Sequence, residues 1–251
     1  MTEAMPTPHE APAGAAAGET APAGANQPSP ARRAQFLATE HWSLLATRSM
    51  SWNESFARTG MFLTSLSTAT VALALVGSAT DFGREFVVFA LLVLAVTLFL
   101  GVATFVRLVQ VNNEDLYWVA GMNRLRGQYA KLEPGIEDEF VTGVGLDAPG
   151  FAQSYAAIHV TGVSTLHMFV TTPGVVAVVN SVIAGVIGGL LTVQVAGSMT
   201  PAVGIGGVVA VVAIALFVGY ARRDAAAYLA RMIRFTGDPA ALPPTSGGDG
   251  R

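Results

Sequence analysis

Residues 86–131 constrain the fold more than any other stretch. They open as FVVFALLVLAVTLFLGVATFV, 21 residues with no charge. About 20 residues rising 1.5 Å each span the roughly 30 Å hydrocarbon layer of a bilayer. Without an intervening Pro the chain runs on into RLVQVNNEDLYWVAGMNRLRGQYAK, apolar on one side and polar on the other. One helix, or two stacked end to end, therefore leaves a membrane and stands in water. The remaining segments can be placed relative to that exit.

Three more apolar runs have similar length. Residues 61–79 and 86–106 are read as a first pair of spans and residues 174–197 and 202–220 as a second. Only 12% of the 251 residues are charged, about half the share in soluble domains. The expected class is all-α: an integral membrane protein with four transmembrane helices in two antiparallel hairpins, plus cytoplasmic amphipathic helices.

Basic residues set the orientation, because Lys and Arg stay on the cytoplasmic side. Arg32, Arg33, Arg48 and Arg58 precede the first span. Arg107, Arg124, Arg126 and Lys131 separate the second from the third, and Arg222, Arg223, Arg231 and Arg234 follow the fourth. Between paired spans only Arg84 occurs. Both termini and residues 107–172 are expected in the cytoplasm of a cell bounded by an inner, plasma membrane, which the chain crosses as a multi-pass protein. Each half then reads as amphipathic segment, span, tight outer turn, span and Arg-bearing helix.

Residues 1–34 hold six of the thirteen prolines and almost no large apolar side chain. They read as a disordered tail rather than a signal peptide, and residues 236–251 read likewise. Residues 35–60 read as a cytoplasmic juxtamembrane helix. Ser51 and Glu54 match a capping box that would start a second helix there. In the middle region, Leu108, Val111, Trp118, Val119, Met122, Leu125 and Tyr129 share one arc, opposite Asn113, Arg124 and Lys131. Asp115 lies within the apolar arc. Either it is buried against a cation, with Arg48 or Arg58 the nearest candidates, or NNED starts a helix capped by Asn113. The cap is the preferred reading. Thr172 and Pro173 read as cap and first residue of the third span, and residues 221–235 as a basic interfacial helix meeting anionic headgroups.

Chemistry-bearing patterns are few. The absence of Cys removes disulfides, thiolate nucleophiles and Cys-based metal sites. No phosphate loop, HExxH or nucleophile elbow occurs, and GVGLDAPG at 143–150 lacks the dinucleotide spacing. His159 and His167 are eight residues apart, too far for a two-ligand helical pair. No charge lies within a span, unlike proton relays and most ion-coupled carriers. With net charge −3 nothing points to nucleic acid. No cofactor, metal or catalytic residue is expected.

Two uses of the spans are read instead. Gly185 and Gly189 form a small-xxx-small pair, and Gly204, Gly206 and Gly207 open the fourth span. Together they predict close packing of spans three and four. Thr64, Ser65 and Thr68 belong to a hydroxyl-rich first span, where hydroxyls bond back to the preceding turn or line a water path. The preferred function is non-enzymatic: scaffolding or docking a cytoplasmic protein partner through Asp115, Trp118, Met122 and Tyr129. The alternative is a homo-oligomeric channel or pore-forming effector lined by Thr64, Ser65 and Thr68.

The segments ATEHWSLLATRSMSWNESF, RLVQVNNEDLYWVAGMNRLR and LHMFVTTPGVVAVVN resemble a family of uncharacterised four-span integral membrane proteins of high-GC bacteria over about residues 36–235. That resemblance implies no activity and no site residues. Over residues 36–131 the plan is similar to SLATT-type membrane effectors, which are proposed to form pores in bacterial conflict systems.

Overall fold

The computed structural model describes residues 29–146, 150, 153–154 and 169–237, with side chains as far as residue 228. Every described element is helical: α1 (Pro30–Ala79), α2 (Arg84–Leu132), a 3-10 turn at Ile136–Glu139, α3 (Thr172–Ala196) and α4 (Met199–Gly237). Four helices are long and apolar enough to cross a membrane. Most of their apolar surface faces outward, including Leu75, Leu92, Phe99, Val203 and Leu216. A chain that leaves such side chains uncovered in the fold needs lipid or protein around it.

α1 is one continuous helix of 50 residues. It begins at Ser29, whose Oγ accepts from the Arg32 amide at 3.3 Å, with Pro30 in its first turn. The tail expected through residue 34 therefore gives way to helix already at Pro30, because the Ser-Pro pair is a good helix start. The expected second start at Ser51 is corrected. The Ser51 hydroxyl instead donates to the Thr47 carbonyl at 3.2 Å, within the helix. α2 likewise runs unbroken through NNED, so the cap reading of Asn113 is overturned.

α1 and α2 are joined by residues 80–83, where Asp81 and Phe82 take positive φ values of 47° and 54°. The Phe82 ring lies on Gly77, where a Cβ would come within 2.5 Å of Cε1. From this turn the partners rise along one helix as they fall along the other: Phe62 with Gly101, Arg48 with Asp115, Leu44 with Gly121, Arg33 with Gln128. On α1 the covered positions Ala34, Leu37, His41, Leu44, Arg48, Ser51 and Ser55 repeat at alternating spacings of three and four. Leu108, Val111, Asp115, Trp118, Met122, Leu125 and Tyr129 do the same on α2, the spacing of a coiled-coil seam.

α3 starts with Thr171 rather than Thr172 as cap: its Oγ1 accepts from the Gly174 amide at 3.3 Å. It ends at Gly197, whose φ of 64° suits glycine. α4 follows after Ser198, so Pro201 falls inside its first turn. α2 packs against each of the other three helices. The core gathers on it: Phe62 from α1, Leu94, Phe105, Leu108 and Val109 from α2, and Val176, Ala177 and Ile183 from α3. Phe217 of α4 closes it edge-on against Phe105 at 4.7 Å between ring centres.

Candidate functional site

Among the described residues, two groups of paired charges lie on the α1–α2 seam, before residue 61 and after residue 106. Asp115 is only 6% exposed. Its Oδ1 accepts from Arg48 Nε at 2.6 Å and from Trp52 Nε1 at 3.2 Å, and its Oδ2 accepts from Arg48 Nη2 at 3.0 Å. The two-pronged guanidinium matches the carboxylate, and the indole fills a further acceptor site. Of the two arginines expected as partners, Arg48 is the one that pairs. Arg58 instead donates to Glu54 at 2.8 Å, one turn away.

A second ionic group lies nearer the spans. Arg107 donates to Glu54 Oε1 and Oε2 at 3.1 and 2.9 Å, and to Glu114 Oε1 at 2.8 Å. Hydrogen bonds from Arg107, then Arg58, hold the Glu54 carboxyl down at about 2, and the two acids raise Arg107. Glu54 thus serves the contact between helices rather than a helix start.

Trp118, Met122 and Tyr129 lie on the covered side of α2. Met122 is buried, and the Tyr129 ring stacks on His41 with centres 6.2 Å apart. Burial raises the Tyr129 hydroxyl, while burial and then the charge of Arg126 lower His41. Trp118 keeps a buried Nε1 without a hydrogen-bond partner among the described residues and meets Tyr117 edge-on. Asp115 and Tyr129 are therefore occupied by α1 of the same chain. Asn113, expected on the open side, is also buried; its Nδ2 donates to Asp224 of α4 at 2.6 Å.

Sequence reasoning missed a clamp at Asn123. This fully buried side chain donates to the Gly145 and Gly150 carbonyls at 3.1 and 3.4 Å. Its Oδ1 accepts from Ser154 Oγ at 2.9 Å and from Arg126 at 3.0 Å. The glycine-containing connector is thereby fastened to α2. Hydrogen-bonding residues separated by 22 to 31 positions leave no periodic trace in sequence.

Within the apolar stretches, Gly185 and Gly206 meet. A Cβ on either would come within 2.7 Å of the other's carbonyl oxygen. A Cβ on Gly189 would lie 3.3 Å from the Ala202 carbonyl oxygen. Gly204 and Gly207 are corrected: a Cβ on either would meet nothing within 4 Å among the described residues, because they face away from α3. Ser65 and Thr68 hydroxyls donate to the carbonyls of Met61 and Thr64 at 2.9 and 3.0 Å. Thr64 and Thr68 are on the outside of α1. Arg222 and Arg223 are exposed on α4, which continues straight through the segment expected to be a separate interfacial helix. His159 and His167, the residue 155–168 stretch and the Arg231 and Arg234 side chains lie outside the described residues.

Compared with protein families, curated proteins and solved structures, the chain matches none.

Proposed function

We propose that the chain is a non-enzymatic, multi-pass protein of a bacterial inner membrane that presents a rigid helical stalk to a cytoplasmic partner. Its spans form two antiparallel hairpins, with both termini in the cytoplasm. Residues 30–60 of α1 and 107–132 of α2 then project about 45 and 40 Å beyond the spans, at 1.5 Å per residue.

The observation that carries this reading is the outer face of α1. Phe36 and Trp42 are 62% and 71% exposed, and Met50 and Phe56 are exposed too. At 100° per residue all four fall on the half of the helix opposite the seam. Phe56 is near enough to the first span to rest among headgroups. Phe36 and Trp42 stand roughly 25–40 Å out, beyond the few ångströms of interfacial zone. Large apolar side chains held out in water mark an interaction surface. The docking face expected at Asp115, Trp118, Met122 and Tyr129 is thus moved to the other side of the stalk.

A photo-crosslinking residue at Trp42 should trap a cytoplasmic protein in cells, and the same group at Val203 should not. Adducts containing only this chain would favour the homo-oligomeric channel, with ion flux through liposomes sensitive to bulky residues at Ser65 or Thr68. No adduct at Trp42 would refute docking there. A periplasm-active reporter should work when fused at Ser198 and fail at Arg251; the reverse would overturn the topology.

A further inference from the structure

A cavity of about 290 Å³ lies between α2, the start of α3 and α4. Its wall is built mainly from Phe105, Val109, Phe169, Ala177, Ile214 and Phe217. Its polar lining residues, Asn112, Asn113, Thr171 and Arg222, all lie in sequence on the polar side of the apolar stretches. The Asn113 amide is already engaged by Asp224. Arg222 is exposed and makes no ion pair or hydrogen bond among the described residues.

The position in the chain gives this polarity a meaning. Phe105, Pro173 and Phe217 stand where the second, third and fourth apolar stretches meet their polar continuations. An apolar interior therefore opens toward a cation at the level where a leaflet changes from hydrocarbon to headgroup. A small soluble anion would gain nothing from the aromatic wall, and a neutral apolar molecule nothing from Arg222. An amphiphile with one negative charge uses both.

We propose that this cavity binds one acyl chain of an anionic phospholipid, with the lipid phosphate on the Arg222 guanidinium. The proposal rests on the reading of the chain as membrane-spanning. It goes beyond a general attraction of the basic segment to anionic surfaces, because it assigns one lipid to one cavity. Filling the cavity removes apolar surface from water and lipid disorder alike, while the phosphate gains a charge-assisted, two-pronged contact.

The test is lipid retention by the full chain purified in mild detergent, measured by native mass spectrometry after equilibration with mixed phosphatidylglycerol–phosphatidylcholine micelles. One phosphatidylglycerol per chain is expected to survive. Arg222→Gln should weaken its retention about tenfold, the scale of one lost charge-assisted contact. Arg223→Gln, exposed next door but off the cavity wall, should leave it unchanged. Val218→Phe, which puts a ring on the wall, should reduce retention of both lipids. Equal losses for Arg222→Gln and Arg223→Gln would show diffuse surface attraction and overturn the site, as would a lipid-free wild type. The underlying membrane reading is checked separately: alkaline washing should leave the chain in the membrane pellet, and its release would sink that reading rather than the cavity alone.

Discussion

Replacing Asp115 by Asn tests whether the buried ion pair holds the stalk together. The carboxylate accepts two hydrogen bonds from Arg48 and one from Trp52 among its contacts. Asn keeps one acceptor oxygen and turns an NH2 toward donors, so at least one donor is left facing another. Removing one partner of a fully buried pair costs about 3–5 kcal/mol. Arg48 is 24% exposed, so water recovers part of its solvation, and the expected loss falls to about 2–3 kcal/mol. At about 2–4 °C per kcal/mol for a chain of this size, the melting temperature in detergent should drop by roughly 4–12 °C. The effect should be local as well. Amide exchange should quicken around Arg48 and Asp115 and stay slow around Gly185 and Gly206. In a double-mutant cycle with Arg48→Met, the second change should cost much less than it does alone. An unchanged melting temperature together with unchanged exchange near Arg48 would refute the pair as a stabilising contact.

Four other perturbations follow. Gly101 lies against Asn180 Oδ1 and Phe62, so Gly101→Ala should lower stability by about 1–3 kcal/mol through overpacking. Asn180 is fully buried with neither amide atom partnered among the described residues. Asn180→Leu should therefore melt at the same temperature or higher, since removing an orphaned polar group carries no loss; a clear drop would reveal a hidden partner. Gly206→Val should separate α3 from α4 and destabilise, whereas Gly207→Ala should be tolerated; thermal melts of the pair decide it. Glu54 titrates lower in the fold than its ordinary 4.5, so its contribution is complete above that value and fades as pH falls toward about 2. Acid melts should show this slope, weakened by salt because Glu54 is partly exposed, and Glu54→Gln should remove it.

The spans are legible in the sequence because each is a long uncharged run, and the seam face of α2 is legible because its spacing is regular. What covers that face is not. Leu44 and Gly121, or Arg48 and Asp115, are brought together by a turn at residues 80–83, and nothing in either local pattern specifies the register. Ser51 and Glu54 mislead for a physical reason. The pattern of a capping box is also the pattern of a hydroxyl bonded to its own helix and an acid paired across to another. Asn113 misleads similarly: an Asn on the polar side of a helix looks solvated until Asp224 arrives from the fourth helix. Spacing finds Gly185 and Gly206, but Gly204 and Gly207 show that small residues mark a contact only on the side that faces the neighbour.

The Arg48–Asp115 pair also explains how a long two-helix seam keeps one register. Small and apolar residues at heptad spacing tolerate a slip of one repeat, since one covered position replaces another. A slip of one heptad here would set Arg48 against Leu108 or Met122, and Asp115 against His41 or Ser55. Asp115 would then be buried without its partner, at a cost of about 3–5 kcal/mol. Arg107 would lose Glu54 in the same slip. The α3–α4 contact uses a different device: Gly185 and Gly206, with Gly189 against Ala202, let the backbones approach where a side chain would clash. The two halves thus specify their pairing by different means: charges where the helices are expected to stand in water, and missing side chains where they are expected to stand in lipid. α2 belongs to both regimes, and its mid-point, near Leu108, is where one gives way to the other. The cavity beside Phe105 and Arg222 sits at that same level, where an apolar wall and an uncommitted cation lie within reach of one amphiphile.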